Sequence, residues 1–280
     1  MLGLGINIFK NKTLEPGGFS FSDSDAEAYY NALSTANGGD IDASSLYSIT
    51  LDALKSAINT LFVDLKADGI FSGLVRLYPF VGATAATHAI NAVNATTDLL
   101  FVNTPTQDSS GLTLNGTTQY ANLNNTPSSE LTNYDNHLMA DLAITGYDFA
   151  FGSRDAILEV DYFYFNSSFW LFDNPDTSVT GGRLSTATEN NFNGNVIGTR
   201  TSNTHSALYK DGALHGTNNT MVTTDLPENT FFLGAWNNEG TPAQYGNCTI
   251  RAASIGASLD ATESSDYSTI ISTFNTTLGK

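Results

Sequence analysis

The sequence has few charged side chains, and few of these are basic. Only 14% of the 280 residues are charged, against about 25% in typical soluble domains. The 28 Asp and Glu outnumber the 11 Lys and Arg, so the formal net charge is −17. Because nucleic acid is bound by clustered basic residues and no such cluster occurs, we predict no nucleic-acid partner.

Cysteine and long apolar runs are also scarce. Cys248 is the single cysteine, which excludes an intramolecular disulfide and a Cys-rich zinc site. A membrane-spanning helix needs about 20 apolar residues. The best candidate, residues 69–93, is interrupted by Arg76 and His88. We therefore predict no membrane span.

No established catalytic motif occurs, and the four histidines lack metal-ligand spacing. The nearest catalytic pattern is Glu159-Val160-Asp161, because jelly-roll glucanases carry their acidic residues at alternate positions of one strand. Such a strand places residues i, i+2 and i+4 on one face, and here position i+4 is Phe163. Retaining hydrolysis needs a correctly spaced pair of carboxyl groups. We predict that the protein is not an enzyme and keep a glycoside hydrolase as the less favoured alternative.

Asparagine and threonine, in contrast, are abundant, with 28 and 35 residues, a composition that suits turns and strand faces. Residues 23–95 carry a helical period, strongest from Leu51 to Leu65, and residues 96–280 carry short alternating runs separated by turn residues. We predict a mainly β jelly-roll sandwich over 96–280, a small helical and loop region over 23–95, and a C-terminal helix over 260–278. Ser24-x-x-Glu27 and Asp260-x-x-Glu263 are predicted capping boxes, and Asp211-Gly212 is a predicted hairpin turn.

The first 22 residues read as an extended arm. Apolar residues alternate there with Gly and Asn before Pro16-Gly17-Gly18. Such an arm cannot fold by itself, so we predict that it anchors the chain to other proteins. The anchoring contacts are assigned to Leu4, Ile6, Ile8 and Phe9.

Several segments resemble known families. Gly111–Leu123, the Tyr209-Lys210-Asp211-Gly212 hairpin and Phe231–Ala235 resemble, in that order, the strands of laminin G-like and concanavalin A-like lectin domains. Residues 57–70 followed by Tyr78-Pro79-Phe80-Val81-Gly82 are similar to virion proteins of tailed bacteriophages, in which a helical segment precedes a lectin-like sandwich. Where a basic residue and then an apolar or aromatic one are expected before Asn91, this chain has Ala89-Ile90. The resemblance implies a structural role in a virus particle and leaves open whether the protein belongs to the tail, a fibre or the capsid surface.

Two loops have the chemistry that glycan binding requires, an aromatic ring beside amide or carboxylate groups on a loop. One contains Trp236, Asn237, Asn238 and Tyr245, and the other contains Trp170. In the alternative reading, Trp236 ends a strand and packs inward. Because lectin-like sandwiches often hold calcium, Asp173 and Asp176 are candidate calcium ligands, although Asp is also a common turn residue. No other cofactor is predicted.

The sequence therefore predicts a non-enzymatic virion component that is anchored by its first residues and displays a lectin-like sandwich. The predicted partners are other virion proteins, contacted through residues 1–22 and the helical region, and further copies of the same chain as a homo-oligomer or as multiple copies in the particle. Binding of host-surface glycans is either a second property of this component or, in the alternative, its primary role as a receptor-binding protein.

Overall fold

The computed structural model describes residues 18–144, 149–155, 160–165, 169–174, 183–187, 193–220 and 225–280. The helices are α1 (Ser24–Asn37), α2 (Ala43–Tyr47), α3 (Leu51–Ala67), α4 (Ala85–His88), α5 (Pro127–Glu130) and α6 (Ala261–Thr277), with a 3₁₀ turn at Phe71–Gly73. The predicted anchor residues Leu4, Ile6, Ile8 and Phe9, and the candidate ligand Asp176, lie outside the described residues. Among the residues described, no helix has the length and apolar content needed to span a bilayer.

Strands make up most of the remaining regular structure. They are β1 (Leu74–Tyr78), β2 (Ile90–Asn91), β3 (Thr96–Thr97), β4 (Leu100–Val102), β5 (Thr106–Asp108), β6 (Gly111–Thr113), β7 (Tyr120–Asn122), β8 (Asn136–Ile144), β9 (Phe149–Arg154), β10 (Val160–Phe165), β11 (Phe169–Asp173), β12 (Leu184–Ala187), β13 (Gly194–Arg200), β14 (Ser206–Lys210), β15 (Ala213–Asn218), β16 (Phe232–Leu233), β17 (Trp236–Asn238), β18 (Thr241–Ala243) and β19 (Cys248–Gly256).

Two large sheets pack face to face, which confirms the predicted sandwich. The first sheet has the strand order β15-β14-β13-β8-β19-β6-β5, and β1 pairs with β19 as its eighth strand. The second has the order β12-β11-β10-β9-β16-β7-β4, and β17 and β18 form a hairpin alongside β9. Among the strands of the described residues the pairing is antiparallel, except between β9 and β17, which run parallel.

The core has two parts, one on each side of the eight-stranded sheet. Between the sheets lies an aromatic cluster that includes Phe149, Phe151, Phe163, Phe165, Trp170 and Phe172. On the other face of the sheet, Met139, Ile197 and Tyr209 pack against α1, α3 and α6. Neighbouring residues of β8 divide accordingly, because alternate side chains of a strand point to opposite faces: Leu138 and Ala140 face the other sheet, whereas Met139 faces the helices.

The beginning of α1 differs from the prediction. The helix begins at Ser24, and its N-cap is Asp23, whose carboxylate accepts hydrogen bonds from the backbone N–H groups of Asp25 and Ala26. The predicted Ser24-x-x-Glu27 capping box is therefore wrong by one position. Asp23 also accepts a hydrogen bond from Lys66 on α3 at 2.6 Å, so a single carboxylate both caps α1 and joins the two helices.

Residues 18–22 lie against the same chain. The Phe19 N–H donates to Asp52 Oδ1 at 3.2 Å, and the Ser22 N–H donates to Asn59 Oδ1 at 2.8 Å. Both acceptors lie on α3. The last part of the predicted arm therefore runs along α3 in the direction of that helix.

The predicted capping box of α6 is confirmed, and its contribution to stability can be tested by substitution. Asp260 Oδ1 accepts from the Glu263 N–H at 2.9 Å, and Glu263 Oε2 accepts from the Asp260 N–H at 2.8 Å. Asp260→Ala should lower the free energy of unfolding by about 1 kcal/mol, because the Glu263 N–H in the first turn of α6 loses its acceptor. Asp266→Ala, which removes a carboxylate from the same helix beyond its first turn, should change it by less than half of that in a urea titration. Equal losses would contradict the capping role.

Candidate functional site

The outer face of the nine-stranded sheet carries a group of aromatic side chains, Tyr120, Phe232, Trp236 and Tyr245, which we call the aromatic face. Tyr120 packs on Phe232 with ring centroids 4.4 Å apart and on Tyr245 at 6.2 Å. Phe232 is buried, whereas the other three rings are partly exposed. The aromatic face thus has a covered centre and an accessible border.

Strand register explains why these rings point outward. Phe232 and Trp236 both pair with Gly152 of β9, and paired residues on neighbouring strands project to the same side of a sheet. Phe231 and Leu233, the neighbours of Phe232, belong to the cluster between the sheets. Since alternate residues face opposite ways, Phe232 must face out. Gly152 itself adds no side chain to this face.

Polar groups border Trp236. The Arg154 guanidinium lies 5.8 Å from the Trp236 ring centroid, and Arg154 Nη2 is 3.4 Å from Glu239 Oε1. Asn238 pairs with Arg154 across β17 and β9 and is partly exposed. A flat ring beside a guanidinium, a carboxylate and an amide offers the two types of contact that sugars use, C–H stacking and hydrogen bonding to hydroxyls.

Asn237, a predicted glycan-binding residue, is instead part of the loop structure. It is buried, its Nδ2 donates to the Thr230 carbonyl at 2.8 Å, and its Oδ1 accepts from the Gly240 N–H at 2.8 Å. These bonds fix the hairpin at Glu239 and Gly240, where both residues have positive φ. Asn237 therefore shapes the loop and does not face a ligand.

Trp170, the second predicted stacking residue, lies in the core. Its ring is fully buried, 4.8 Å from the Phe165 ring and 4.6 Å from the His215 ring. A sugar cannot reach it, so its assignment to glycan binding is corrected. In the sequence the two tryptophans look alike; the strand register places one ring inside the sandwich and the other on its surface.

The prediction that Asp173 is a calcium ligand is wrong. It is fully buried, and both carboxylate oxygens accept hydrogen bonds from Arg183, at 3.0 Å to Nε and 2.7 Å to Nη2. Burial raises the pKa of Asp173, and the Arg183 contact opposes that rise. In the part of the chain that the structure describes, no group of three or more His, Cys, Asp or Glu side chains could hold a metal ion.

The structure describes only part of the acidic motif Glu159-Val160-Asp161. Glu159 lies outside the described residues, and Asp161 belongs to β10, paired with Ser153 of β9. Sequence reasoning also missed Tyr120, Arg154 and Phe232 as site residues. Alternation within residues 111–123 indicates a strand at Tyr120, but its proximity to Tyr245 depends on pairing between distant strands.

Comparison with solved structures identifies likenesses of fold. A Trypanosoma rangeli sialidase mutant displaying trans-sialidase activity matches with a TM-score of 0.52 at 15% identity, over 80% of this chain and 40% of that one. The T. rangeli sialidase in complex with sialic acid matches with a TM-score of 0.50 at 15% identity, over 78% of this chain and 39% of that one. Domain 4 of the Geobacillus stearothermophilus arabinanase AbnA, in complex with arabinotriose, matches with a TM-score of 0.44 at 12% identity, over 70% of this chain and 98% of that one.

These matches cover only part of the sialidases and support a likeness of fold. The chain spans about two fifths of the length of the sialidases it matches. At such low identity the likeness shows the fold alone. A scan of protein-family models finds no match, and a search of the curated proteins finds none either.

Proposed function

We propose that this protein is a non-enzymatic component of a bacteriophage particle and that its sandwich binds host-surface glycans through the aromatic face. The observation that carries the glycan proposal is the partly exposed Trp236 ring, which lies beside Arg154 and Glu239 on the sheet face opposite the helices. The sialidases of similar fold act in glycan chemistry, which is in keeping with this proposal.

The geometry favours recognition of a glycan chain over enclosure of a small molecule. Tyr120, Tyr245 and Trp236 lie on the surface of a sheet, where successive sugar rings stack on exposed rings. Each ring offers a flat apolar surface with a polar tip. A repeating polysaccharide contacts several such rings at once, so contacts that are weak one by one combine into measurable affinity.

The particle role is supported by the resemblance of Tyr78–Gly82 to segments of bacteriophage virion proteins. Lys280 Nζ donates to the carbonyls of Pro79 and Phe80, at 2.8 Å each. The Tyr47 hydroxyl accepts from the Gly82 N–H at 2.7 Å. These bonds fix the segment, which is buried, to Tyr47 of α2 and to Lys280, the residue at the end of the chain after α6.

Trp236→Ala is expected to weaken glycan binding by about five- to tenfold, because one stacking contact is lost. The measurement uses the full chain on an array of bacterial capsular polysaccharides and lipopolysaccharides, followed by titration of the strongest binder. Trp170→Phe is the matched control: it changes the other tryptophan, keeps the core filled and should leave the dissociation constant unchanged.

Three outcomes contradict the proposal. If the wild-type protein binds no glycan on the array, the proposed glycan-binding function is wrong. Equal losses from Trp236→Ala and Trp170→Phe remove the aromatic face as the site. Release of reducing ends from a bound polysaccharide contradicts the non-enzymatic role. Membership of the particle is tested separately by labelling purified particles with an antibody against the full chain, and absence of label removes it.

A further inference from the structure

Three further side chains extend the aromatic face to the edge of the nine-stranded sheet. Leu100 and Val102 lie on the edge strand β4, and Asn122 lies on its neighbour β7. Phe101 and Ala121, which adjoin them in sequence, pack into the cluster between the sheets. Because alternate residues of a strand face opposite ways, the three side chains face outward. Together with the aromatic face they form what we call the cross-strand row.

Strand register places these side chains in line with the aromatic face. Leu100 pairs with Asn122. Asn122 also pairs with Phe232, which in turn pairs with Gly152. Trp236 pairs with Gly152 as well. Since neighbouring strands are about 4.8 Å apart, the outer face of these four strands extends roughly 14 Å from Leu100 to Gly152.

The cross-strand row is accessible and offers uncharged hydrogen-bonding groups. Leu100 is 52% exposed, and Asn122 is partly exposed. Asn122 Oδ1 accepts from the Asn124 N–H at 2.8 Å, whereas its Nδ2 has no partner among the residues that the structure describes. Within the same residues, the hydroxyls of Tyr120 and Tyr245 bond to no protein group. One amide and two hydroxyls therefore remain for a ligand, beside apolar surfaces on which it can stack.

Charge indicates which kind of ligand the row accepts. None of its side chains is charged. Arg154, at the Trp236 end, already lies 3.4 Å from Glu239, and the whole chain carries a formal charge of −17. A charged polymer would find no opposite charge among the side chains of the row, and an anionic one would also be repelled by the protein as a whole. The row therefore suits an uncharged partner rich in hydroxyl groups.

We propose that the cross-strand row binds an internal segment of a linear, uncharged polysaccharide whose chain crosses the strands from Trp236 to Leu100. One sugar of an extended chain is about as long as the separation of two strands, so the row holds about three or four sugars. Because β4 is the last strand of the described sheet, the chain can continue past Leu100. The inference rests on the proposed glycan-binding function and adds Leu100, Val102 and Asn122 to its site.

The dependence of affinity on chain length tests the row. The full chain is titrated with oligosaccharides of two, four and six sugars, cut from the uncharged polysaccharide that binds best on the array. The two longer ones should bind at least about tenfold more tightly than the disaccharide, because they alone reach from Trp236 to Leu100. A disaccharide that binds as tightly as the hexasaccharide overturns the proposal and leaves the glycan-binding function standing.

Leu100→Gln tests the edge of the row. It should weaken binding of the hexasaccharide about fivefold, because an apolar contact is lost, and binding of the disaccharide less than twofold. Leu214→Gln is the matched control, since Leu214 is 59% exposed and lies on β15, an edge strand of the other sheet. It should leave both affinities unchanged. Equal effects of the two substitutions on the hexasaccharide overturn the proposal.

The charge of the glycan gives an independent test. Acidic capsular polysaccharides are placed on the array beside their carboxyl-reduced, uncharged forms. In pairs of which either form binds, the uncharged form should bind at least about fivefold more tightly, and tighter binding of the acidic form overturns the proposal.

A second copy of the chain is the competing occupant of the row. Sedimentation at several protein concentrations should show no dimer that Leu100→Gln dissociates, and such a dimer would overturn the proposal. If no glycan binds in any of these experiments, it is the proposed function that fails. If glycans bind through Trp236 without the expected dependence on length, on Leu100 or on charge, the failure is confined to this inference.

Discussion

Arg76→Ala is expected to lower the free energy of unfolding by about 3–5 kcal/mol, because it leaves two carboxylates without their buried partner. Arg76 lies on β1 and donates to Glu130 from Nε at 2.7 Å and from Nη2 at 2.6 Å. Its Nη1 is 2.6 Å from Asp98 Oδ2, and the Tyr78 hydroxyl donates to the other oxygen of Asp98 at 2.6 Å. The network joins β1, the chain before β4, and α5.

The matched control is Lys66→Ala. Lys66 also contacts two carboxylates, Asp23 and Asp25, each at 2.6 Å, but its side chain is 32% exposed, against 10% for Arg76. Solvent screens the Lys66 pairs, so we expect a loss below about 1 kcal/mol. Urea unfolding followed by circular dichroism measures both variants. A loss for Arg76→Ala no larger than that for Lys66→Ala would contradict the importance of burial.

Elements with strong local signals could be predicted from the sequence. The stripe from Leu51 to Leu65 gives α3, and Asp211-Gly212 gives the β14–β15 hairpin, where both residues have positive φ. In such cases the periodicity or the turn chemistry is complete within a few residues. The sandwich fold could be predicted because many short segments alternate apolar and polar residues. That prediction does not require knowing which strands pair with each other.

Strands β9 and β1 escaped prediction, for two different reasons. Residues 149–153 of β9 are all buried, so the strand lacks the alternation that marks a half-exposed one. β1 lies within the region predicted as helical and loop, yet it pairs with β19 through the register Arg76 to Ile255. Such a pairing joins distant parts of the chain, and nothing local to residues 74–78 indicates it.

The residues of the candidate site were harder to predict than the strands. Trp236 and Tyr245 were found by residue type, but so were Trp170, Asn237 and Asp173, which the structure places inside. Residue type shows what a side chain can do, whereas strand register decides which side of the sheet it faces. Arg154 and Tyr120 join the site solely through that register, and the anchor assignments and the homo-oligomer stay predictions.

Acid is expected to destabilise the protein between pH 6.5 and pH 4 through two buried histidines. The neutral His137 ring is fully satisfied: Nδ1 donates to the Ala257 carbonyl, and Nε2 accepts from the Ser254 hydroxyl at 3.0 Å. Burial lowers the pKa of His137 to about 4. Burial also lowers the pKa of His88 to about 4, and the positive charge of Lys280 adds to this effect.

The sign follows from proton uptake. Between pH 4 and 6.5 the unfolded chain binds these protons and the folded chain does not, so falling pH favours unfolding. Each neutral, buried histidine therefore contributes roughly 3 kcal/mol to the free energy of unfolding. This contribution is present above pH 6.5 and is lost by pH 4. His137→Gln should reduce the difference in unfolding free energy between pH 7 and pH 4.5, measured by urea titration, by about 2 kcal/mol. Whatever the substitution costs at both pH values cancels in that difference.

His205→Gln provides the control, because His205 is partly exposed and its Nδ1 lies 2.6 Å from the amide oxygen of Asn219 in an exposed contact. It removes one histidine without removing a buried neutral ring, so the pH dependence should stay close to that of the wild type. If His205→Gln and His137→Gln reduce the pH dependence equally, burial of His137 is not its cause. Both variants keep every carboxylate of the chain, so the comparison isolates the buried ring that holds β8 against the chain after β19.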